Sequence, residues 1–97
     1  MKVYFSQKAA RDFKRLPSEV RQRVRKAIIA LYETPFPRGV KKIKGFSNTY
    51  RLRVGDYRIV YKILWDKNEI WILRIAHDVK FTSINFEVKL FSIRAWR

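Results

Sequence analysis

The sequence predicts an α+β domain in which an N-terminal strand and a two-helix hairpin pack on a small antiparallel β-sheet. Two observations predict it. Apolar residues recur at helical spacing through residues 6–33, and after residue 40 the spacing switches to strict alternation. Residues 2–5 (Lys-Val-Tyr-Phe) read as a short first strand. Ser6 is suited to cap a helix reaching about Leu16, with Ala9, Phe13 and Leu16 at i, i+4 and i+7. Pro17-Ser18 interrupts it, and either residue can open the next helix. In that second helix Val20, Val24, Ala27, Ile28 and Leu31 share one apolar face, while Arg21, Arg23, Arg25 and Lys26 point mostly elsewhere. Thr34-Pro35-Phe36-Pro37 ends it, because proline lacks the amide and disfavours helix in the residue before it.

The second half reads as strands. Val40 to Lys44 is a short basic strand closed by Gly45. Tyr50 to Val54 and Tyr57 to Ile63 alternate on either side of Gly55-Asp56, the pattern of a β-hairpin. Asp66 to Glu69 makes the next turn, and Ile70 to Ala76 is apolar enough for a central, buried strand. The order βααββββ places the helices on one sheet face. Val79 to Arg97 is ambiguous. Ile84, Val88, Phe91 and Ala95 fit a helical stripe, although the composition suits a strand, and the stripe tips the reading to helix.

The 97 residues carry 23 Lys and Arg against 8 Asp and Glu, a net charge of +15, with 47% hydrophobic residues. One domain with a real core is expected, and disorder is not. No cysteine excludes disulfides, a thiol nucleophile and Cys-based zinc sites, and fits a reducing compartment. The N-terminus meets charges before a signal-peptide core accumulates, and no stretch approaches a membrane span, so a soluble cytoplasmic protein is expected. The charge surplus calls for a polyanion: nucleic acid first, an acidic protein or membrane surface behind it. It is not a uniform coat. Residues 34–65 hold eight bases against one acid, Asp56, whereas residues 66–97 hold six against four.

A two-residue turn at Gly55-Asp56 would pair Val54 with Tyr57, Arg53 with Arg58, Leu52 with Ile59 and Arg51 with Val60. Tyr50, Leu52, Val54, Tyr57, Ile59, Tyr61 and Ile63 then share a core face, and Arg51, Arg53, Arg58 and Lys62 share the other. Like charges directly opposite destabilise a sheet. Keeping Arg53 against Arg58 makes sense if an anion sits there, because the guanidinium fork matches phosphate. The plainer alternative is a set of solvated arginines whose stems spread apart.

The chemistry open to such a site is narrow. Two-metal nucleases need several carboxylates converging on ions about 4 Å apart, and this chain's acids are scattered singly; no metal or cofactor is expected. There is one histidine and no Gly-rich phosphate loop. Metal-free phosphodiester chemistry on RNA remains. The 2′-hydroxyl attacks the adjacent phosphate, and fixed arginines stabilise the charge that develops. Arginine stays protonated, which leaves His77, after the Ile70–Ala76 strand, as the candidate for proton transfer near neutral pH.

Several runs carry a resemblance: Pro35-Phe36-Pro37, Lys42-Ile43-Lys44-Gly45, Tyr50-Arg51-Leu52-Arg53-Val54-Gly55-Asp56-Tyr57-Arg58-Ile59-Val60-Tyr61, and Ile72-Leu73-Arg74-Ile75-Ala76-His77. With the helical hairpin broken at Leu16-Pro17, they resemble the RelE/ParE toxin superfamily of toxin–antitoxin systems over about residues 1–77. The resemblance implies a RelE-like fold and, in the RelE branch, an endoribonuclease that enters the ribosomal A site and cuts mRNA without metal. It implies a cognate, RelB-like antitoxin that wraps and neutralises the toxin. Arg51 and Arg53 match the family's paired basic strand residues, and Arg58 matches its phosphate-contacting arginine. Lys41, Lys42 and Lys44, with Lys62 and Arg74, are the expected RNA-backbone or ribosomal RNA contacts. Two positions depart from the family: Asp78 stands where a basic residue is usual, and Val79 to Arg97 contains no tyrosine. The rivals are a ParE-like toxin acting on DNA gyrase and a basic nucleic-acid-binding module without chemistry.

Overall fold

The computed structural model describes residues 1–77; Asp78 and the helix expected over 79–97 lie outside the described residues. The chain forms β1 (Lys2–Phe5), α1 (Gln7–Arg15), α2 (Ser18–Glu33), β2 (Val40–Lys42), β3 (Thr49–Val54), β4 (Tyr57–Leu64) and β5 (Glu69–His77). A 3-10 turn at Trp65–Lys67 joins β4 to β5. The strands make one sheet in the order β1-β5-β4-β3-β2.

This is the α+β class expected, with one refinement. The β2–β3, β3–β4 and β4–β5 pairings are antiparallel, but β1 runs parallel to β5, Val3 opposite Ile70 and Phe5 opposite Ile72. Parallel pairing needs a long crossover, and a residue pattern local to β1 carries no record of which distant strand it joins.

The helices cover one face. Ala9 of α1 and Val24, Ile28 and Leu31 of α2 pack with Val3, Phe5, Leu52, Ile59, Tyr61, Ile63, Ile70, Ile72 and Ile75. Each such aliphatic side chain contributes about 1.5–3 kcal/mol on burial. The opposite face has its own smaller cluster of Ile43, Val60, Trp71 and Leu73, flanked by Tyr4, Phe46 and Leu64. Strand β5 therefore buries both faces, which is why its sequence reads as a nearly continuous apolar run rather than an alternation. A bulge adjusts it: Tyr61 pairs with Ile72 but Val60 with Arg74, leaving Leu73 as the extra residue. Ile70, Ile72 and Ile75 all reach the helix-side core as a result.

β1 stops opposite Ile72, so β5 runs on without a strand on that side. α1 supplies the missing partners. The Ser6 amide donates to the Ile72 carbonyl at 2.8 Å. The buried Ser6 hydroxyl donates to the Leu73 carbonyl at 2.9 Å and accepts from the Ala9 amide at 3.0 Å, so the helix cap is also a sheet clamp. One carboxylate oxygen of Asp12 accepts from the Ile75 amide at 3.0 Å and from Arg74 Nε at 2.8 Å. Buried backbone groups must find partners, and here short polar side chains of the first helix provide them.

Candidate nucleic-acid interface

The β3–β4 hairpin has the register its sequence demands: Val54 opposite Tyr57, Arg53 opposite Arg58, Leu52 opposite Ile59, Arg51 opposite Val60. Of the two turn residues, Gly55 has φ +59° and Asp56 does not have a positive φ, as in a type II′ turn with glycine first. Because alternate residues face opposite ways, this register puts Arg51, Arg53 and Arg58 on the face without helices.

That face is read in rows. Lys41, Arg51, Val60 and Arg74 lie side by side across β2, β3, β4 and β5, and Arg53, Arg58 and Ala76 form the next row toward the turn. Arg53 is exposed, whereas Arg51 and Arg58 are half-buried. Each of the opposed arginines bonds to nearby backbone: Arg53 Nε donates to the Gly55 carbonyl at 3.1 Å, and an Arg58 terminal nitrogen to the Tyr57 carbonyl at 3.2 Å. These local backbone bonds fix each guanidinium at the turn end of the sheet. Among the described residues no carboxylate comes within ion-pair distance of Arg51, Arg53 or Arg58. Glu69, an acid on the same face, lies at the other end of β5 and accepts from Trp71 Nε1 at 3.1 Å.

The remaining candidates divide. Lys62 shares the arginine face but sits between Thr49 and Trp71, away from the turn. Lys42 pairs with Tyr50 and so faces the helix side, at the sheet edge, while Lys44 is exposed in the turn after β2. Arg74 is committed to Asp12 and acts as a tether between β5 and α1 rather than as an open cation. His77 pairs with Tyr57, its ring edge-on to the tyrosine at 5.3 Å. Tyr57 belongs to the helix-side row, so the register puts His77 on the face opposite the arginines, one residue beyond Ala76, which shares theirs. A single step along a strand reverses the face, and the expected gathering of His77 with the three arginines does not form.

Tyr61 is a second group to discount for proton transfer. It is fully buried, donates to the Pro35 carbonyl and stacks against Tyr50. Burial, and secondarily Tyr50, push its hydroxyl well above the ordinary value of 10.0, so it stays protonated and pins the Pro35-Phe36-Pro37 loop. A pKa raised on folding gives stability that is whole below the unfolded value and declines as pH rises beyond it. The urea midpoint is therefore expected to fall above about pH 10, and Tyr61→Phe to flatten that fall. An equal alkaline slope in both proteins would contradict this role.

Sequence reasoning missed two residues. Asp12 lies on a helix with no pattern to mark it as the acceptor for a strand more than sixty residues away (|i−j| 62 and 63). Arg23 reads as one of several solvated helix cations, yet its guanidinium rests on the hairpin tip, NH1 3.1 Å from where a Cβ on Gly55 would stand. Among the described residues no group of three or more His, Asp or Glu could hold a metal ion, and no helix is long and apolar enough to cross a membrane.

A helical hairpin on one face of a five-stranded mixed sheet is a fold this chain shares with solved RelE toxins. Residues 3–80 match the family model of the ParE toxin of type II toxin-antitoxin systems, parDE, and the chain belongs to that family. Toxin RelE3 of Methanocaldococcus jannaschii is 36% identical over 81 residues, 79% of this chain and 90% of the relative. The mRNA interferase toxin RelE of Escherichia coli is 26% identical over 74 residues, 74% of this chain and 77% of the relative. In the crystal structure of the archaeal RelE–RelB complex from Pyrococcus horikoshii, the matching chain is 28% identical with a TM-score of 0.70. That match covers 78% of this chain and 92% of that one.

Proposed function

We propose that this toxin is a metal-independent endoribonuclease that cuts mRNA in the ribosomal A site and is held inactive by a cognate RelB-like antitoxin. The observation that carries the reading is the arginine face. Arg51, Arg53 and Arg58 are set by the hairpin register on one surface with no carboxylate to neutralise them among the described residues. The relative named an mRNA interferase and the RelE–RelB complex of matching fold support it. In the reaction the 2′-hydroxyl oxygen attacks the neighbouring phosphorus and the 5′-oxygen leaves. The arginines hold the non-bridging oxygens as charge builds on them, and because they are fixed beforehand they need no reorganisation at that moment. Arginine cannot take the 2′-hydroxyl proton, and His77 lies across the sheet. The arginines therefore orient the phosphate and stabilise its developing charge, and the proton moves through a group other than these side chains. Lys41, beside Arg51, extends the same surface along the RNA backbone, in the cytoplasm where the ribosomes are.

The family model itself, that of ParE toxins, favours a second reading in which the chain poisons DNA gyrase. One pair of assays separates them. Purified toxin added to ribosomes programmed with a defined mRNA, with EDTA present, yields A-site cuts under the first reading. Intact mRNA together with trapped gyrase–DNA complexes would establish the second.

A further inference from the structure

We infer that Arg23 of α2, with Arg53 of β3 shared between this position and the scissile one, forms a second phosphate-binding position at the hairpin tip, taking the phosphodiester next to the scissile one. This rests on the ribonuclease reading and extends its site around the end of the sheet. Gly55 would bring a Cβ to 3.1 Å from NH1, 3.3 Å from NH2 and 3.5 Å from Cζ of Arg23. Cζ is the farthest of the three, so the group approaches obliquely and its two terminal nitrogens, with their N–H donors, are the end that lies at the hairpin tip. The glycine is required twice over, by its φ of +59° and by this approach.

Nothing in the described residues uses those donors. Arg23 makes no hydrogen bond or ion pair there, although Glu19 stands one turn back on the same helix, at the i−4 position where such pairs usually form. From the other face, Arg53 reaches the same residue through its bond to the Gly55 carbonyl. Two guanidiniums thus flank one turn residue, one from the helix side and one from the arginine face, with no acid paired to either. Asp56, beside them, is exposed and makes no ion pair. Such a concentration of like charge opposes folding unless an anion offsets it. A strand whose scissile phosphate lies on Arg58 can continue over the tip to Arg23.

The test is the salt dependence of binding to a short single-stranded RNA with 2′-O-methyl groups, which cannot be cleaved by this route, followed by fluorescence anisotropy. Each phosphate contact on a single strand contributes about 0.7 to the slope of log K against log salt. Arg23→Gln is expected to make the slope shallower by about that amount and Lys26→Gln, an exposed cation on the same helix, by much less. Gly55→Ala is expected to mimic Arg23→Gln by displacing the guanidinium; if its strained turn prevents folding, the two surface variants still decide. An Arg23→Gln slope equal to that of Lys26→Gln overturns the inference. Cleavage of programmed ribosomes by the wild type is scored alongside. A protein that cuts mRNA while Arg23→Gln keeps the wild-type slope defeats only this inference. One that binds RNA without cutting defeats the ribonuclease reading instead.

Discussion

Arg58→Ala is expected to slow mRNA cleavage on programmed ribosomes by at least about a hundredfold, the usual cost of losing one preorganised charge-stabilising donor. Its fold should not suffer. Arg58 faces Arg53 across the hairpin, and its one recorded bond is to the carbonyl of its own neighbour Tyr57. Removing the side chain relieves a like-charge pair, which in a sheet is worth about 0.2–1 kcal/mol, against the loss of a single partly solvated hydrogen bond. The urea midpoint is expected to stay level or rise slightly. Activity and stability moving in opposite directions is the signature of a face kept for its ligand. A variant that loses activity and stability together would show that Arg58 holds the sheet, and the anion argument would go with it. Arg51→Ala, one row further in between Lys41 and Val60, should behave similarly in both activity and stability, since its side chain is half-buried like that of Arg58 and it too faces a cation.

Asp12→Ala is the substitution expected to cost most in stability, about 2–3 kcal/mol, because a charge-assisted bond and a backbone bond are lost at once. Its carboxylate is only 14% exposed and its partner Arg74 26%. The alanine leaves both an uncompensated guanidinium and an unmatched Ile75 amide at the open edge of β5. Arg74→Ala should cost less, about 1 kcal/mol, since Asp12 keeps the amide. Urea unfolding of the two single variants and the double variant gives the coupling directly. Strict additivity would mean that the pair contributes nothing as a pair. The ordering matters for function as well: it identifies Arg74, which the sequence suggested as an RNA contact, as part of the frame.

What the sequence disclosed was whatever is local. The Ser6 cap, the break at Pro17, the apolar stripe of Val24, Ile28 and Leu31, and the Gly55-Asp56 turn all follow from residues within a few positions of each other, and the hairpin register follows from the turn. The opposition of Arg53 and Arg58 could therefore be read directly. What escaped were contacts between elements: β1 choosing β5, Asp12 reaching Ile75, Arg23 reaching Gly55. His77 shows the same limit at a finer scale. The end of its strand was legible, but its face depended on a register with β4 that the Leu73 bulge had already shifted.

The parallel bond between the first and last described strands also sets an order of events. The β3–β4 hairpin closes over a two-residue turn and can form early, whereas β1 must wait for a strand made almost at the end of this region. Contacts that span most of a chain are closed late because their loop entropy is met last. During folding the turn of the arginine hairpin can thus close while Lys2 to Phe5 still lack a neighbour, and the first helix clamps the β5 edge only once that strand has joined. The opposition of Arg53 and Arg58 is therefore set by the most local pairing in the sheet, whereas the frame that carries it closes through the most distant one.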